Sequence, residues 1–289
     1  MRCTLHPDAS AFLAVASGWL ERDPVVNNIV ATNVLMRLGG PLLGEDQPVL
    51  ITVADSGGAL VGAAVRTPPR SLLLAGVPTD VALAVADFIA ELRSAGVPAA
   101  ELPGVVGPVT AAEPFAAHWS AVTGHAGRVE MRQRAFRLDR VRPPTGVGGR
   151  FRLATEADLD LCFGWMVDFQ SEALPQQPKV YRERIAHTIS DGRMGLWEDG
   201  GRPVSMVGRT MPAAGVIRIG PVYTPPELRR HGYGSACTAE VSRRALESGA
   251  TACTLTTDLA NPTSNAIYQR IGYYPVVDGV SVLFDPPDS

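Results

Sequence analysis

This sequence predicts an α/β chain made of two similarly ordered halves. Three observations predict it. Runs rich in β-branched and apolar residues alternate with amphipathic runs of helical period along the whole chain. The stretch 141–149, Val-Arg-Pro-Pro-Thr-Gly-Val-Gly-Gly, sets two prolines and three glycines in nine residues, the composition of a linker. The order of strands and helices before that stretch is similar to the order after it, which suggests duplication although no residue-level repeat is visible. The domain boundaries that follow are 1–142, a linker at 143–149, and 150–289.

In the first half, 9–22 and 27–38 read as helices. Strands follow at 49–54, 60–66 and 71–75, with Gly57 and Gly58 turning the chain between the first two. The run 80–94 is a helix with Val81, Ala84, Val85, Phe88 and Leu92 on one stripe. A helix over 112–122 and a strand over 128–138 complete the half.

The second half opens with a strand at 151–154. Thr155 then caps a helix over 156–169, with Asp158 in its first turn. Next come a helix at 180–190 and strands at 194–198, 203–211 and 216–224. A helix over 235–246 carries Cys237, Val241 and Ala245 at four-residue steps, and Gly249 is placed to end it. A strand at 251–257, a helix at 263–271 closed by Gly272, and a final strand pair ending near Phe284 finish the chain.

The chemistry concentrates between strand 216–224 and the helix after it. The stretch 220–234 reads Gly-Pro-Val-Tyr-Thr-Pro-Pro-Glu-Leu-Arg-Arg-His-Gly-Tyr-Gly. Pro225 and Pro226 stop the strand. A helix N-terminus presents unpartnered N–H groups and a partial positive charge. Gly232 and Gly234 let an anion approach the backbone, and Arg229, Arg230 and His231 add charge beside it. The arrangement is a cradle for pyrophosphate. A nucleotide triphosphatase loop is excluded, because no lysine follows either glycine. A dinucleotide-binding fold shares the order strand, Gly-x-Gly, helix, strand and acidic Asp258. However, Cys237 stands where its third glycine belongs, and 225–231 is inserted where it needs a tight turn.

Arg229-x-x-Gly232-x-Gly234 resembles the acetyl-CoA pyrophosphate loop of the GNAT N-acetyltransferases. The run Thr-Asp-Leu-Ala-Asn-Pro-Thr-Ser-Asn-Ala-Ile-Tyr-Gln-Arg-Ile-Gly-Tyr over 257–273 resembles the second half of that family's cofactor site. The resemblance covers about 151–284 and is closest to the actinobacterial-type tandem members. It implies that each half is a mixed, mostly antiparallel sheet flanked by helices, with strands splayed at the acyl-CoA site of the C-terminal half. It implies acetyl-CoA as co-substrate, held by Val222, Tyr223, Thr224, Arg229, Arg230, His231, Gly232, Tyr233, Gly234, Ser235, Asn261, Ser264 and Tyr268. Pro221 within the strand marks a bulge or edge. By resemblance, that bulge admits the pantetheine arm, with backbone groups of Val222 and Thr224 bonding its amides. An N–H near Val222 then polarises the thioester carbonyl.

For the chemical step the resemblance implies Tyr268 as the general acid that protonates the departing thiolate. Asn261 and Ser264 also suit helix capping. The strand 216–220, Val-Ile-Arg-Ile-Gly, has no carboxylate where some family members carry a glutamate base. Glu172 is the first candidate base, with Asp168, His187 and a water chain as others. The junction 75–79 of the first half, Ala-Gly-Val-Pro-Thr, has neither arginine nor Gly-x-Gly, so this half reads as a degenerate GNAT-like domain. An unrelated α/β domain is the alternative there.

The expected function is transfer of an acetyl group from acetyl-CoA to a primary amine by direct attack in a ternary complex. The alternative is a non-catalytic acyl-CoA-binding sensor or scaffold. A net charge of −3 gives no reason to expect nucleic acid. No run reaches the ~18 apolar residues of a membrane span. Cys3, Cys162, Cys237 and Cys253 lack metal-ligand spacing, so no metal is expected. With Pro7 and Asp8 interrupting the first residues, the expectation is a cytoplasmic protein, monomer or homodimer.

Overall fold

The structure, a computed structural model, describes residues 1–286 of the 289-residue chain. Its elements are β1 (Arg2–His6), α1 (Ala9–Leu20), α2 (Asn28–Leu35), β2 (Val49–Ala54), β3 (Leu60–Arg66), β4 (Leu72–Leu74), α3 (Thr79–Ser94), β5 (Gly104–Pro108), α4 (Val109–Thr123) and β6 (Ala126–Leu138). After the proline-glycine stretch come β7 (Arg150–Leu153), α5 (Leu159–Ala173), α6 (Arg182–Ser190), β8 (Met194–Asp199), β9 (Arg202–Arg209), β10 (Val216–Tyr223), α7 (Tyr233–Glu247), β11 (Ala252–Asp258), α8 (Pro262–Ile271) and β12 (Tyr274–Asp285). β1 and β5 are additional to the expected strands. Both are only five residues long; Arg-Cys-Thr-Leu-His alternates but buries His6 rather than its apolar Leu5, and Gly-Val-Val-Gly-Pro has no apolar alternation. The expected final strand pair is one continuous strand, β12. No helix among the described residues is long and apolar enough to cross a membrane.

The chain forms two compact units, and they are not the two consecutive stretches that the linker suggests. Unit 1 holds Met1–Ala135, Thr256–Ala260 and Val276–Ser289, and unit 2 holds Phe136–Leu255 and Asn261–Pro275. The C-terminal strand is therefore lent to the N-terminal unit. There it pairs antiparallel with β5, Gly279 opposite Pro108 through Leu283 opposite Gly104. Side chains hold it in place: Arg134 grips Asp278 at 2.5 and 2.8 Å, and the Ser281 hydroxyl donates to Glu130 at 2.7 Å. The Phe284 ring lies 6.0 Å from the buried Trp119 ring.

Within unit 1 the strand order is β1-β2-β3-β4-β5-β12. The β2–β3 hairpin turns at Gly57 and Gly58, where Asp55 Oδ1 accepts from the amides of Gly57 and Ala59 at 2.9 Å each. α1 is capped by Asp8, whose carboxylate accepts from Ala11 N–H at 2.8 Å.

Within unit 2 the strands from β11 onward run β11-β10-β9-β8-β7. One face carries Val207, Ile217, Ile219, Cys237, Val241, Leu255, Ile271 and Tyr273, where α7 and α8 pack. The other carries Cys162, Ile185, Met194, Leu196, Met206 and Tyr223, where α5 and α6 pack. Alternate residues of β9 serve opposite faces, as strand geometry requires. The expected capping at Thr155 is present as a reciprocal box with Asp158. Thr155 N–H donates to Asp158 Oδ2 at 2.8 Å, and Arg152 clamps the same carboxylate at 2.7 and 2.8 Å.

Those bonds lower the Asp158 pKa to about 2, with the Arg152 hydrogen bonds the largest cause. A depressed folded-state pKa contributes stability above the unfolded value of about 3.9 and loses it as pH falls toward 2. Asp158→Asn should therefore cost unit 2 roughly 2 kcal/mol at pH 7, with the deficit shrinking between pH 4 and pH 2. Denaturant midpoints of both forms across that range test this. A deficit independent of pH would refute the assignment.

Candidate active site

The parallel pairing of β10 with β11 spans only Val216–Arg218 against Ala252–Thr254. Beyond it β10 pairs with β9 alone, and its register shifts between Ile219 and Val222. Gly220 and Pro221 occupy the shift. Pro221 has no N–H to give a ladder, and Gly220 takes φ 138°, a value open to glycine. The strand thus leaves its neighbour at the bulge. Among the described residues, 219–223 has no ladder partner on the β11 side. Adjacent side chains there serve opposite faces: Val222 packs on the α7–α8 cluster, Tyr223 on the α5–α6 cluster.

The chain then passes through Pro225 and a 3-10 turn at Pro226–Leu228 before entering α7. Arg230 and Gly232 both sit in the left-handed region, φ 70° and 81°. Gly232 is the N-cap of α7 and offers no side-chain cap. Ala236 N–H is the first to bond back, onto the Gly232 carbonyl at 2.9 Å. The amides of Gly232, Tyr233, Gly234 and Ser235 have no hydrogen-bond partner among the described residues, the condition for an anion site. An ideal Cβ at Gly234 would stand 3.1 Å from Thr224 Oγ1, so the helix start lies close on the end of β10.

The two arginines diverge in role. Arg230 is exposed and has no carboxylate partner among the described residues. Arg229 Nη2 instead donates to Glu172 Oε2 at 2.6 Å, and its Nε to the Thr224 carbonyl at 2.9 Å. Its guanidinium also lies 5.9 Å from the Tyr223 ring centre. The Tyr223 hydroxyl donates to the other Glu172 oxygen at 3.2 Å. Burial, then Glu172, raise the Tyr223 pKa. Glu172, expected as the base, thus has both carboxylate oxygens engaged in fixing Arg229 and Tyr223. Thr224, a backbone group of which is expected to bond a pantetheine amide, has its carbonyl already accepting from Arg229. Its hydroxyl lies 2.9 Å from Ser205 Oγ.

His231 stacks on Tyr233 with ring centres 5.4 Å apart, and the Tyr233 hydroxyl donates to Asp199 Oδ2 at 2.6 Å. Asp199, Ser205 and Val147 escaped sequence reading because their proximity to the loop comes from non-local folding. A Cβ at Gly232 would lie 2.8 Å from Val147 Cγ2. Trp197 Nε1 donates to the Gly148 carbonyl at 2.8 Å. The far end of the expected linker is therefore anchored beside the cradle.

Tyr268 lies on α8, half-buried against the cluster that Val222 also flanks. Its hydroxyl has no hydrogen-bond partner among the described residues. Burial pushes its pKa up to about 12. Ser264 stands one turn earlier on the same face, and Asn261 caps the helix, its Oδ1 accepting from Ser264 N–H at 3.0 Å. Tyr268 and Val222 thus belong to one face of the sheet, and the Glu172–Tyr223 pair to the other. The buried thiols of Cys162 and Cys253 are pushed up to about 12, and that of Cys237 is raised further. None is a ready nucleophile.

The co-substrate fit rests on three observations: a strand gap for an extended amide-bearing arm, free helix-start amides for phosphates, and a free phenol flanking the same cluster. Residues 159–273 match the family model described as Acetyltransferase (GNAT) family. A GCN5-related N-acetyltransferase structure from Sphaerobacter thermophilus is 17% identical over 100% of this chain and 96% of its own, with a TM-score of 0.64. One from Kribbella flavida is 21% identical over 90% and 96%, TM-score 0.58. A GNAT-family acetyltransferase from Colwellia psychrerythraea is 10% identical over 98% and 99%, TM-score 0.56. No curated protein matches the chain. These structures share the fold, and the family model places a GNAT-family acetyltransferase domain at residues 159–273, a family that uses acetyl-CoA as co-substrate.

Proposed function

We propose that this protein transfers an acetyl group from acetyl-CoA to a primary amine by direct attack within a ternary complex. The observation that carries the reading is the gap beside 219–223 opening next to the unpaired amides of Gly232–Ser235. In this reading the pyrophosphate sits on those amides with Arg230, and the pantetheine arm lies along the free edge of Val222. Arg229 is a positioning residue, tied to Glu172 and Thr224 so that it braces the loop.

The amine nitrogen attacks the thioester carbon, and an outward N–H near Val222 holds the developing oxyanion. Collapse expels the thiolate, and Tyr268 donates to that sulfur. The proton lost by the attacking nitrogen replaces the one given to sulfur, so the products are amide and free thiol. With both Glu172 oxygens engaged, a water chain is the better carrier of the amine proton. The buried cysteines favour direct attack over a cysteine-bound intermediate.

Unit 1 holds no second acyl-CoA site in this reading. At its β4–α3 junction Asn27 Oδ1 accepts from Gly76 N–H at 3.0 Å, and a Cβ at Gly76 would meet Val26 at 2.7 Å. The junction is thus closed at Gly76, and it supplies neither arginine nor Gly-x-Gly. We accordingly read the N-terminal unit as a degenerate GNAT-like domain and the C-terminal one as catalytic.

Calorimetric titration of the full chain with acetyl-CoA, CoA and NAD tests the cofactor assignment. One acetyl-CoA per chain at micromolar affinity, with no response to NAD, is the expected result. It is followed by thiol release on adding an amine panel. Acetyl-CoA binding without turnover on any amine would favour the sensor reading, and NAD binding alone would discard both.

A further inference from the structure

Away from the acetyl-CoA cradle, unit 2 contains a cavity of about 170 Å³ lined chiefly by Phe151, Leu153, Arg193, Arg209, Val241 and Arg244. Three guanidinium groups border this small space. Two are paired: Arg193 Nη2 donates to Asp191 at 2.6 Å, and Arg244 Nε to Glu240 at 2.8 Å. Glu240 also takes Arg243, which reaches Glu247 as well. Arg209 has no carboxylate within salt-bridge distance among the described residues. Its Nη2 reaches only the Gly192 carbonyl, at 3.5 Å, the outer limit of a hydrogen bond. Arg193, Arg209, Arg243 and Arg244 therefore face Asp191, Glu240 and Glu247 with one positive charge left over.

That charge is costly where it stands. Arg209 is half-buried at the end of β9, partly stripped of water and repelled by Arg193; both lower its pKa. A guanidinium held this way gains most from an anion that brings several acceptor oxygens to its planar fork. Arg244 is held in place by stacking over Phe151, 4.6 Å from the ring centre. The volume falls below the ~300–1,000 Å³ of ordinary organic-ligand pockets. It suits a small tetrahedral anion rather than a nucleotide.

We propose that this cavity is a binding site for a phosphate-sized oxyanion, held by Arg209 with Arg193 and Arg244. It is separate from the cradle. The cavity meets α7 at Val241 and Arg244, six to nine residues beyond Ser235, or roughly 9–14 Å along the helix axis. The inference rests on these arginines and not on the acetyl-transfer reading.

The test is calorimetric titration of the full chain with inorganic phosphate at constant ionic strength, with sodium chloride as the balancing salt. Wild type should show a saturable site at the cavity, told apart from any phosphate on the helix-start amides because only the latter depends on Arg230. Arg209→Gln should weaken it at least tenfold, Arg193→Gln severalfold, and Arg230→Gln should leave it unchanged. Circular dichroism checks that each variant is folded. If Arg209→Gln does not fold, Arg209→Lys and Arg193→Gln decide the matter. Sulfate in place of phosphate should compete, and acetate should not. Absence of saturable binding would overturn the proposal. So would binding unchanged by loss of Arg209, or lost only in Arg230→Gln, since the ion would then belong to the helix start.

Discussion

Replacing Tyr268 by Phe should lower kcat for acetyl transfer by roughly 10²–10³-fold, with acetyl-CoA affinity within about twofold of wild type. The substitution removes one oxygen that has no hydrogen-bond partner among the described residues, so nothing in the fold is left unsatisfied. Stability should stay within about 0.5 kcal/mol. A loss in turnover therefore reports chemistry rather than damage.

The phenol pKa of about 12 shapes how it acts. A thiol has a pKa near 8.5, so full proton transfer from this phenol to a free thiolate is uphill by roughly 5 kcal/mol. In the proposed mechanism the transfer is therefore coupled: a hydrogen bond to sulfur strengthens as charge develops, and the phenol passes its proton on only as the amine-derived proton replaces it. The raised pKa also keeps the phenol protonated from neutral pH to well above 10. The wild-type pH–rate profile should show no alkaline decline assignable to Tyr268 below about pH 10. Undiminished turnover in Tyr268→Phe would remove the residue from the mechanism.

Gly232→Val should weaken acetyl-CoA binding by at least tenfold and destabilise unit 2 by about 2 kcal/mol or more. Two effects combine. Gly232 has φ 81°, where a β-branched residue is strained by sterics with its own carbonyl. Its new Cβ would also start 2.8 Å from Val147 Cγ2, so the anchored segment must shift. Moving Gly232 reorients the amides that open α7.

Gly249→Ala provides the control. Gly249 has φ 99° just past the other end of α7, with open space around its Cβ position. It should cost about 1 kcal/mol of stability and leave acetyl-CoA affinity unchanged. Equal losses of affinity in the two variants would show that helix stability, and not the cradle, governs binding.

Much of this protein is written locally. The capping box at Thr155, the prolines after Thr224, the glycines at the start of α7 and the Gly272 stop of α8 act through neighbouring backbone, so short windows carry them. The loop 220–234 and the run 257–273 are of this kind, which is why the GNAT resemblance is legible in the order of residues alone. So is the bulge, since Pro221 announces a missing donor.

Only the tertiary structure decided three other matters. It gave β12 to the N-terminal unit, because the partners that hold Asp278, Ser281 and Phe284 lie about 150 residues away in sequence. It set Glu172 within hydrogen-bond reach of Arg229 and Tyr223, because α5 packs on the face where Tyr223 emerges after the bulge shifts strand parity. And it left Arg209 among arginines with one carboxylate too few. Each of these depends on which distant charges and faces meet, and composition and periodicity carry no record of that.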